Sequence, residues 1–124
     1  SQTRTSAAHA LSYPLTLFHD IPHGFSCSIT LGPIFDYNIA KSQTGLIEVL
    51  DIFQNRYGNK NSSFHDCYKL FLEDCEVFSK LSEYGVKQAD IPRLVDNAFH
   101  PDRFNNMLYE LSLEQVKDIY HSVL

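Results

Sequence analysis

Apolar residues recur along most of the chain at three- and four-residue intervals, the spacing of helices with one buried face. Alternation of apolar and polar residues, which is typical of strands, is nearly absent. The pattern predicts an all-α fold of about seven helices in one domain covering residues 1–124. The predicted helices cover residues 6–11, 23–37, 45–57, 64–84, 91–99 and 112–124, and the fourth breaks near Ser79 into two pieces.

Prolines, glycines and capping residues set the predicted boundaries. Pro14 is expected to bend or end the first helix, because a proline disfavours helical geometry in the residue before it. Residues 15–22 then form a connector to the second helix. Gly85 is expected to end the broken fourth helix. Ser112 and Gln115 have the spacing of a capping box that opens the last helix.

Composition excludes two classes of protein. The 124 residues are 44% hydrophobic and 20% charged, which is typical of a globular domain. The net charge of −5, without a basic stripe, argues against a nucleic-acid-binding protein. No apolar run approaches the roughly 20 residues that span a bilayer, and the first residues lack the layout of a signal peptide. We therefore expect a cytoplasmic protein that binds neither nucleic acid nor membrane.

The cysteines agree with a cytoplasmic location. Cys27, Cys67 and Cys75 are odd in number and lack the Cys-x-x-Cys spacing, so neither a disulfide framework nor a zinc knuckle is indicated. We expect three buried or half-buried thiols in a reducing compartment.

Two histidines are candidate metal ligands. His9 lies in the first predicted helix, and His23 follows fourteen residues later at the start of the second. Pro14 and Pro22 stiffen the segment between them, so both imidazoles could point into one cleft, where neutral imidazoles suit a divalent metal. Spacing alone leaves a second interpretation open. In a helical interaction module without chemistry, the same histidines would be capping or surface residues.

The sequence around these histidines, HALSYPLTLFHDIPHG, resembles the signature of the iron-containing (group III) alcohol dehydrogenases. That family has a His, a second His four residues later followed by Pro-Leu, and a Pro-His-Gly whose His is fourteen residues after the first. The matching residues here are His9, Pro14, Leu15, Pro22, His23 and Gly24. The resemblance continues through FSCSITLGPIFDYN and through the closing segments ADIPRLVDNAF and LSLEQVKDIYHSVL.

The resemblance implies the C-terminal helical domain of an NAD(P)-dependent alcohol dehydrogenase or aldehyde reductase. It implies that His9 and His23 bind Fe²⁺ or Zn²⁺, and that the other two ligands, an Asp and a His, lie upstream of this chain. An N-terminal nucleotide-binding domain of the same protein is the implied partner, with a small alcohol or aldehyde as substrate and a homo-oligomer as a further expectation. The isolated chain, with two ligands, is expected to fold but neither to bind metal tightly nor to catalyse the reaction.

Tyr13 departs from the family pattern, because most members have the second His at that position. We regard it as a candidate catalytic residue: a phenol donates a hydrogen bond to a substrate oxygen but is a poor base at neutral pH. The run SAAHALSYP is similar to the branch of the family that reduces phosphonoacetaldehyde. Arg4, Thr5 and Ser6, about one turn before His9, and the start of the second helix would suit an anionic phosphonate.

The remaining polar candidates are predicted to be incidental. His19 is expected in the connector, solvated or at the mouth of the cleft. Three further histidines are expected on the surface, namely His65, His100 and His121. Three carboxylates are expected on a solvated helix face, namely Glu73, Asp74 and Glu83.

Overall fold

A computed structural model describes residues 2–42, 44–98 and 111–124 of the chain. Its α-helices are α1 (Gln2–His19), α2 (His23–Ser42), α3 (Thr44–Tyr57), α4 (Phe64–Asp74), α5 (Ile91–Ala98) and α6 (Leu113–Ser122). Two short 3₁₀ helices, Leu81–Tyr84 and Gln88–Asp90, precede α5. The described residues contain no strand, so the predicted all-α fold is confirmed. Within residues 2–42, 44–98 and 111–124, the six α-helices and two 3₁₀ helices also agree with the predicted number of about seven.

The first helix does not end at Pro14, and this part of the prediction is wrong. Pro14 lies inside α1, which continues to His19 through the predicted connector. Pro14 has no N–H to donate to the carbonyl of Ala10, a loss that normally weakens a helix. Leu11 and Leu15, one on each side of the proline, are fully buried. We attribute the continuation to this tertiary packing, which overrides the local preference.

The second helix begins at His23 as predicted but extends past Tyr37 to Ser42, with Pro33 inside it. Gly32 is a point of close approach between α2 and α4. A Cβ atom at Gly32 would lie 3.0 Å from Cδ2 of His65 and 3.2 Å from its Cα. The glycine is therefore needed for close packing of these helices.

The fourth helix ends at Asp74, earlier than predicted, because a Schellman motif stops it. The N–H of Val77 donates to the carbonyl of Leu72 at 2.9 Å, and the N–H of Glu76 donates to the carbonyl of Glu73 at 3.0 Å. Glu76 takes the left-handed conformation, with φ of 60°. Glycine usually occupies this position, and the sequence therefore gave no signal for the stop. The predicted stop at Gly85 is confirmed, since Gly85 has φ of 87° and caps the first 3₁₀ helix.

Two hydrophobic clusters hold the helices together. The larger one joins α1, α2, α5 and α6 and contains the fully buried Leu11, Leu15, Leu94 and Tyr120. The smaller one is aromatic and is built around Phe64 of α4, with side chains of α2 and α3 packed against it. The helices that carry the candidate histidines, α1 and α2, thus belong to the larger core.

The last helix begins as its sequence predicts. Ser112 Oγ accepts a hydrogen bond from the N–H of Gln115 at 3.1 Å, and Gln115 Oε1 accepts one from the N–H of Ser112 at 2.8 Å. The hydroxyl of Tyr120, also in α6, donates to the carbonyl of Leu11 in α1 at 2.7 Å. Among the described helices, none combines the length and the apolar character that crossing a bilayer requires.

Candidate metal centre

A tight corner between α1 and α2 brings the start of α2 beside the middle of α1. Asp20, with φ of 57°, ends α1 in the left-handed conformation, and its N–H donates to the carbonyl of Thr16 at 3.1 Å. The hydroxyls of Thr16 and Ser26 both donate to the carbonyl of Ile21, at 2.8 and 3.3 Å. These bonds fix the corner, and the next helix therefore starts in a defined position against α1.

His9 and His23 face each other at this junction. Their ring centroids are 4.9 Å apart and their planes are inclined by 34°. His9 is the eighth residue of α1 and His23 is the first residue of α2, and both side chains are exposed. The structure therefore brings together the two histidines that the sequence singled out. His9 lies well inside its helix, which disagrees with the alternative interpretation that it is a helix cap.

Cys27 joins the two histidines, and sequence reasoning missed it. One donor atom from each of His9, His23 and Cys27 can be chosen so that all three lie within 4.8 Å of one another. His23 Nε2 and Cys27 Sγ are 3.6 Å apart. The signal was present in the sequence, because residues four apart share a helix face. Disulfide and Cys-x-x-Cys patterns do not cover a cysteine paired with a histidine at this spacing.

Ser12 selects the form of His23 that suits a metal. Its hydroxyl donates to the carbonyl of His9 at 2.7 Å, and Ser12 Oγ also lies 3.4 Å from His23 Nδ1. A hydroxyl has one hydrogen to donate, and with that hydrogen on the His9 carbonyl the arrangement favours the tautomer of His23 that has its proton on Nδ1. The lone pair of the imidazole is then on Nε2, which faces Cys27. Such outer hydrogen bonds commonly orient histidines that bind metals.

We expect Ser12→Ala to weaken metal binding without unfolding the chain. Without the acceptor, His23 populates both tautomers, and affinity for Co²⁺ should fall about tenfold. Nitrogen chemical shifts of the His23 ring measure the tautomer, and a Co²⁺ titration measures the affinity. Ser122→Ala is the matched control, because the Ser122 hydroxyl donates to the carbonyl of Ile119 within α6. An unchanged His23 tautomer in Ser12→Ala would contradict the assignment.

Tyr13 is close to His9 in the sequence, and a cleft lies beside the candidate metal centre. Tyr13 is one turn after His9 on α1, and its side chain is 40% exposed. A cleft of about 300 Å³ opens between α1, α2 and the start of α3. Its lining combines the polar His9, Cys27 and Asn38 with apolar side chains such as Leu31. Such a mixed lining suits a small organic molecule beside a metal.

The other histidines are distributed differently from the prediction. His19 is the last residue of α1 rather than a solvated loop residue, since its side chain is 11% exposed. Its buried Nε2 has no hydrogen-bond partner among the described residues, and Asp90 Oδ2 at 4.0 Å is too distant for one. His121 is exposed as expected, and His100 lies outside the described residues.

His65 is half-buried, so its predicted surface position is wrong. It packs against Gly32 of α2, and its Nε2 has no hydrogen-bond partner within the described segments. Burial lowers the pKa of His65, and the positive charge of Lys69 lowers it further, although two nearby carboxylates oppose the shift. The neutral imidazole therefore belongs in large part to the packing between α2 and α4.

Comparison with known proteins finds a matching family model and several relatives. The model of the Fe-containing alcohol dehydrogenase family, C-terminal, matches residues 1–124. Sulfoacetaldehyde reductase of Bilophila wadsworthia is 28% identical over 111 residues, which cover 84% of this chain and 29% of that protein. Lactaldehyde reductase of Escherichia coli is 25% identical over 92% of this chain and 31% of that protein.

A further relative matches a shorter segment of the chain, but with a higher sequence identity. Phosphonoacetaldehyde reductase of Streptomyces viridochromogenes is 51% identical over 37 residues, which cover 30% of this chain and 9% of that protein. Each of these alignments covers less than a third of the relative's own length.

Proposed function

The chain belongs to the Fe-containing alcohol dehydrogenase family, and on that premise we propose that its protein is a metal- and NAD(P)-dependent alcohol dehydrogenase or aldehyde reductase. His9 and His23 are two ligands of a divalent metal, Fe²⁺ or Zn²⁺. The observation that carries the proposal is the approach of the two imidazoles, 4.9 Å apart on neighbouring helices.

In this proposal residues 1–124 form part of the C-terminal, metal-binding domain. A nucleotide-binding domain and two further ligands, an Asp and a His, belong to a preceding part of the same protein. The relatives support this division, because the chain spans less than a third of their length. Cytoplasmic residence is also part of the proposal, and the three free cysteines are consistent with it.

The donor set fits a divalent metal. Imidazole nitrogens suit iron and zinc, and the contact between Ser12 and His23 leaves Nε2 of His23 available as a ligand. When bound, the metal supplies Lewis-acid polarisation of a carbonyl oxygen, and the nicotinamide supplies hydride chemistry. This chain's own part is to hold the metal with His9 and His23 and to donate a hydrogen bond to the substrate oxygen from Tyr13.

The proposed substrate is a short aldehyde with an anionic phosphonate or sulfonate group. Two of the relatives are named for phosphonoacetaldehyde and sulfoacetaldehyde, which both have such a group. The first intrahelical hydrogen bond of α2 comes from the N–H of Ser26. The preceding amides of His23, Gly24 and Phe25 are therefore available to an anion beside the metal. Space is open at Gly24, where an added Cβ would contact nothing within 4 Å.

The activity is tested on the whole protein encoded around this chain. Purified protein is stripped of metal, reloaded with Fe²⁺ or Zn²⁺, and assayed for oxidation of NADH and NADPH with short aldehydes. We expect turnover that disappears on metal removal and returns on reloading. Turnover that persists undiminished in the stripped protein would refute the metal-dependent assignment.

The substrate is tested separately with phosphonoacetaldehyde, sulfoacetaldehyde, lactaldehyde and butanal. Because charged hydrogen bonds are worth about 1.5 to 3 kcal/mol each, we expect kcat/KM to be at least about tenfold higher for the two anionic aldehydes. A higher kcat/KM for lactaldehyde or butanal would refute the anionic substrate, while the dehydrogenase assignment would stand.

A further inference from the structure

We propose that Cys27 is a third metal-binding residue of this chain and that its thiolate binds the same divalent ion as His9 and His23. The inference rests on the proposed metal site and adds a donor to it. Cys27 is half-buried, one turn after His23 on α2, and its Sγ lies 3.6 Å from His23 Nε2.

The separation of the two atoms is that of neighbouring ligands on a tetrahedral metal. With metal–nitrogen and metal–sulfur bonds of about 2.1 and 2.3 Å, the tetrahedral angle places nitrogen and sulfur about 3.6 Å apart. The distance between His23 Nε2 and Cys27 Sγ has this value without any rearrangement. All three donor atoms lie within 4.8 Å of one another. The donor nitrogen of His9 must therefore move by about 1 Å to reach the spacing of ligands on one ion. The exposed side chain of His9 can close that gap by a small rotation.

The chemistry of the donors also favours an ion. On binding, the thiol of Cys27 loses its proton to solvent, and the thiolate neutralises one of the two positive charges of the ion. In this chain taken alone, two neutral imidazoles and one thiolate form a set that zinc and cobalt accept, and the fourth position is left for water. The expectation that the isolated chain binds no metal tightly assumed two donors. With three donors, the chain itself becomes a metal-binding unit.

The competing explanation is a hydrogen bond. A thiol of Cys27 that donates to His23 Nε2 accounts for the same 3.6 Å without any metal. The two explanations differ in what happens when an ion is offered. A ligand thiolate gives a sulfur-to-cobalt charge-transfer absorption in the near ultraviolet, whereas a thiol that only donates a hydrogen bond gives none.

The experiment is a Co²⁺ titration of the 124-residue chain, with folding checked by circular dichroism. We expect the wild type to develop the charge-transfer absorption together with the intense visible bands of four-coordinate cobalt. Cys27→Ser should lose the charge-transfer absorption and bind Co²⁺ about 100-fold more weakly. Cys75→Ser is the matched control, because Cys75 is an exposed free thiol at the end of α4, and it should titrate like the wild type.

A second variant keeps the test decisive if Cys27→Ser does not fold. The chain has three cysteines, so Cys67→Ala combined with Cys75→Ser leaves Cys27 as the only thiol. The charge-transfer absorption must persist in that variant. Its absence there or in the wild type, or its retention in folded Cys27→Ser, would overturn the role of Cys27. If His9→Ala and His23→Ala abolish the visible bands while Cys27→Ser leaves the spectrum unchanged, the Cys27 proposal fails and the proposed function stands.

Discussion

Replacing His23 by alanine in the whole protein is expected to remove the bound metal and to lower kcat/KM for aldehyde reduction at least about 1000-fold. His23 is at the centre of the candidate site, with one ring nitrogen on Ser12 and the other on Cys27. Without it, the remaining donors of this chain are on different helices. Metal content by elemental analysis and steady-state kinetics with NADH and NADPH measure the two effects.

The matched control is His121→Ala. His121 is an exposed histidine of α6, so its loss removes an imidazole without touching the candidate site. Metal content and kcat/KM should equal those of the wild type. Full metal content and full activity in folded His23→Ala would refute the assignment of His23 as a ligand.

The sequence predicted the features that depend on residues close together in the chain. The position of His23 at the start of α2 follows from Pro22 before it. The capping box at Ser112 could be predicted because its two residues are close in sequence. The stiffening prolines Pro14 and Pro22 made a convergence of His9 and His23 possible, and the resemblance to a family made it an expectation. Their spacing alone is a weak signal for ligands, and histidines so far apart are more often capping or surface residues.

The parts that could not be predicted depend on tertiary contacts. Pro14 looked like a helix terminator, and only the buried Leu11 and Leu15 around it account for the continuation of α1. The stop at Asp74 depends on Glu76 adopting a left-handed conformation that glutamate rarely takes. The contact between Ser12 and His23 exists because the corner after α1 reverses the chain. None of these features has a signature within a single helical segment.

Tyr120 is the clearest case of a long-range contact without a sequence signal. It lies 109 residues from Leu11 along the chain, yet its hydroxyl donates to the Leu11 carbonyl at 2.7 Å. Leu11 lies between His9 and Ser12 on α1, so this bond ties α6 to the segment that carries the candidate metal centre. The whole side chain is buried, with 0% exposed. Burial raises the pKa of Tyr120 well above its usual value.

We expect two substitutions of Tyr120 to separate its packing from its hydrogen bond. Tyr120→Ala leaves a cavity in the core, and the free energy of unfolding should fall by about 4 kcal/mol. Tyr120→Phe keeps the ring and loses the hydroxyl, at a cost of about 1 kcal/mol. Urea unfolding of the chain near neutral pH measures both. Tyr57→Phe is the matched control, because the Tyr57 hydroxyl bonds the exposed Asp74, and its cost should be smaller than that of Tyr120→Phe.

Because burial raises the pKa of Tyr120, this residue makes the free energy of unfolding depend on pH. An exposed tyrosine with an ordinary pKa would not do so. Below about pH 10, Tyr120 is protonated in both the folded and the unfolded chain, and its ionisation contributes nothing to the pH dependence. Above that pH the unfolded chain releases the phenolic proton and the folded chain retains it. The unfolding free energy should therefore fall by up to about 1.4 kcal/mol per pH unit through this residue. The same urea experiments, repeated at alkaline pH, should show a smaller decline for Tyr120→Phe than for the wild type. Identical declines would mean that the buried phenol ionises as easily as a solvated one, which its complete burial and its bond to α1 argue against.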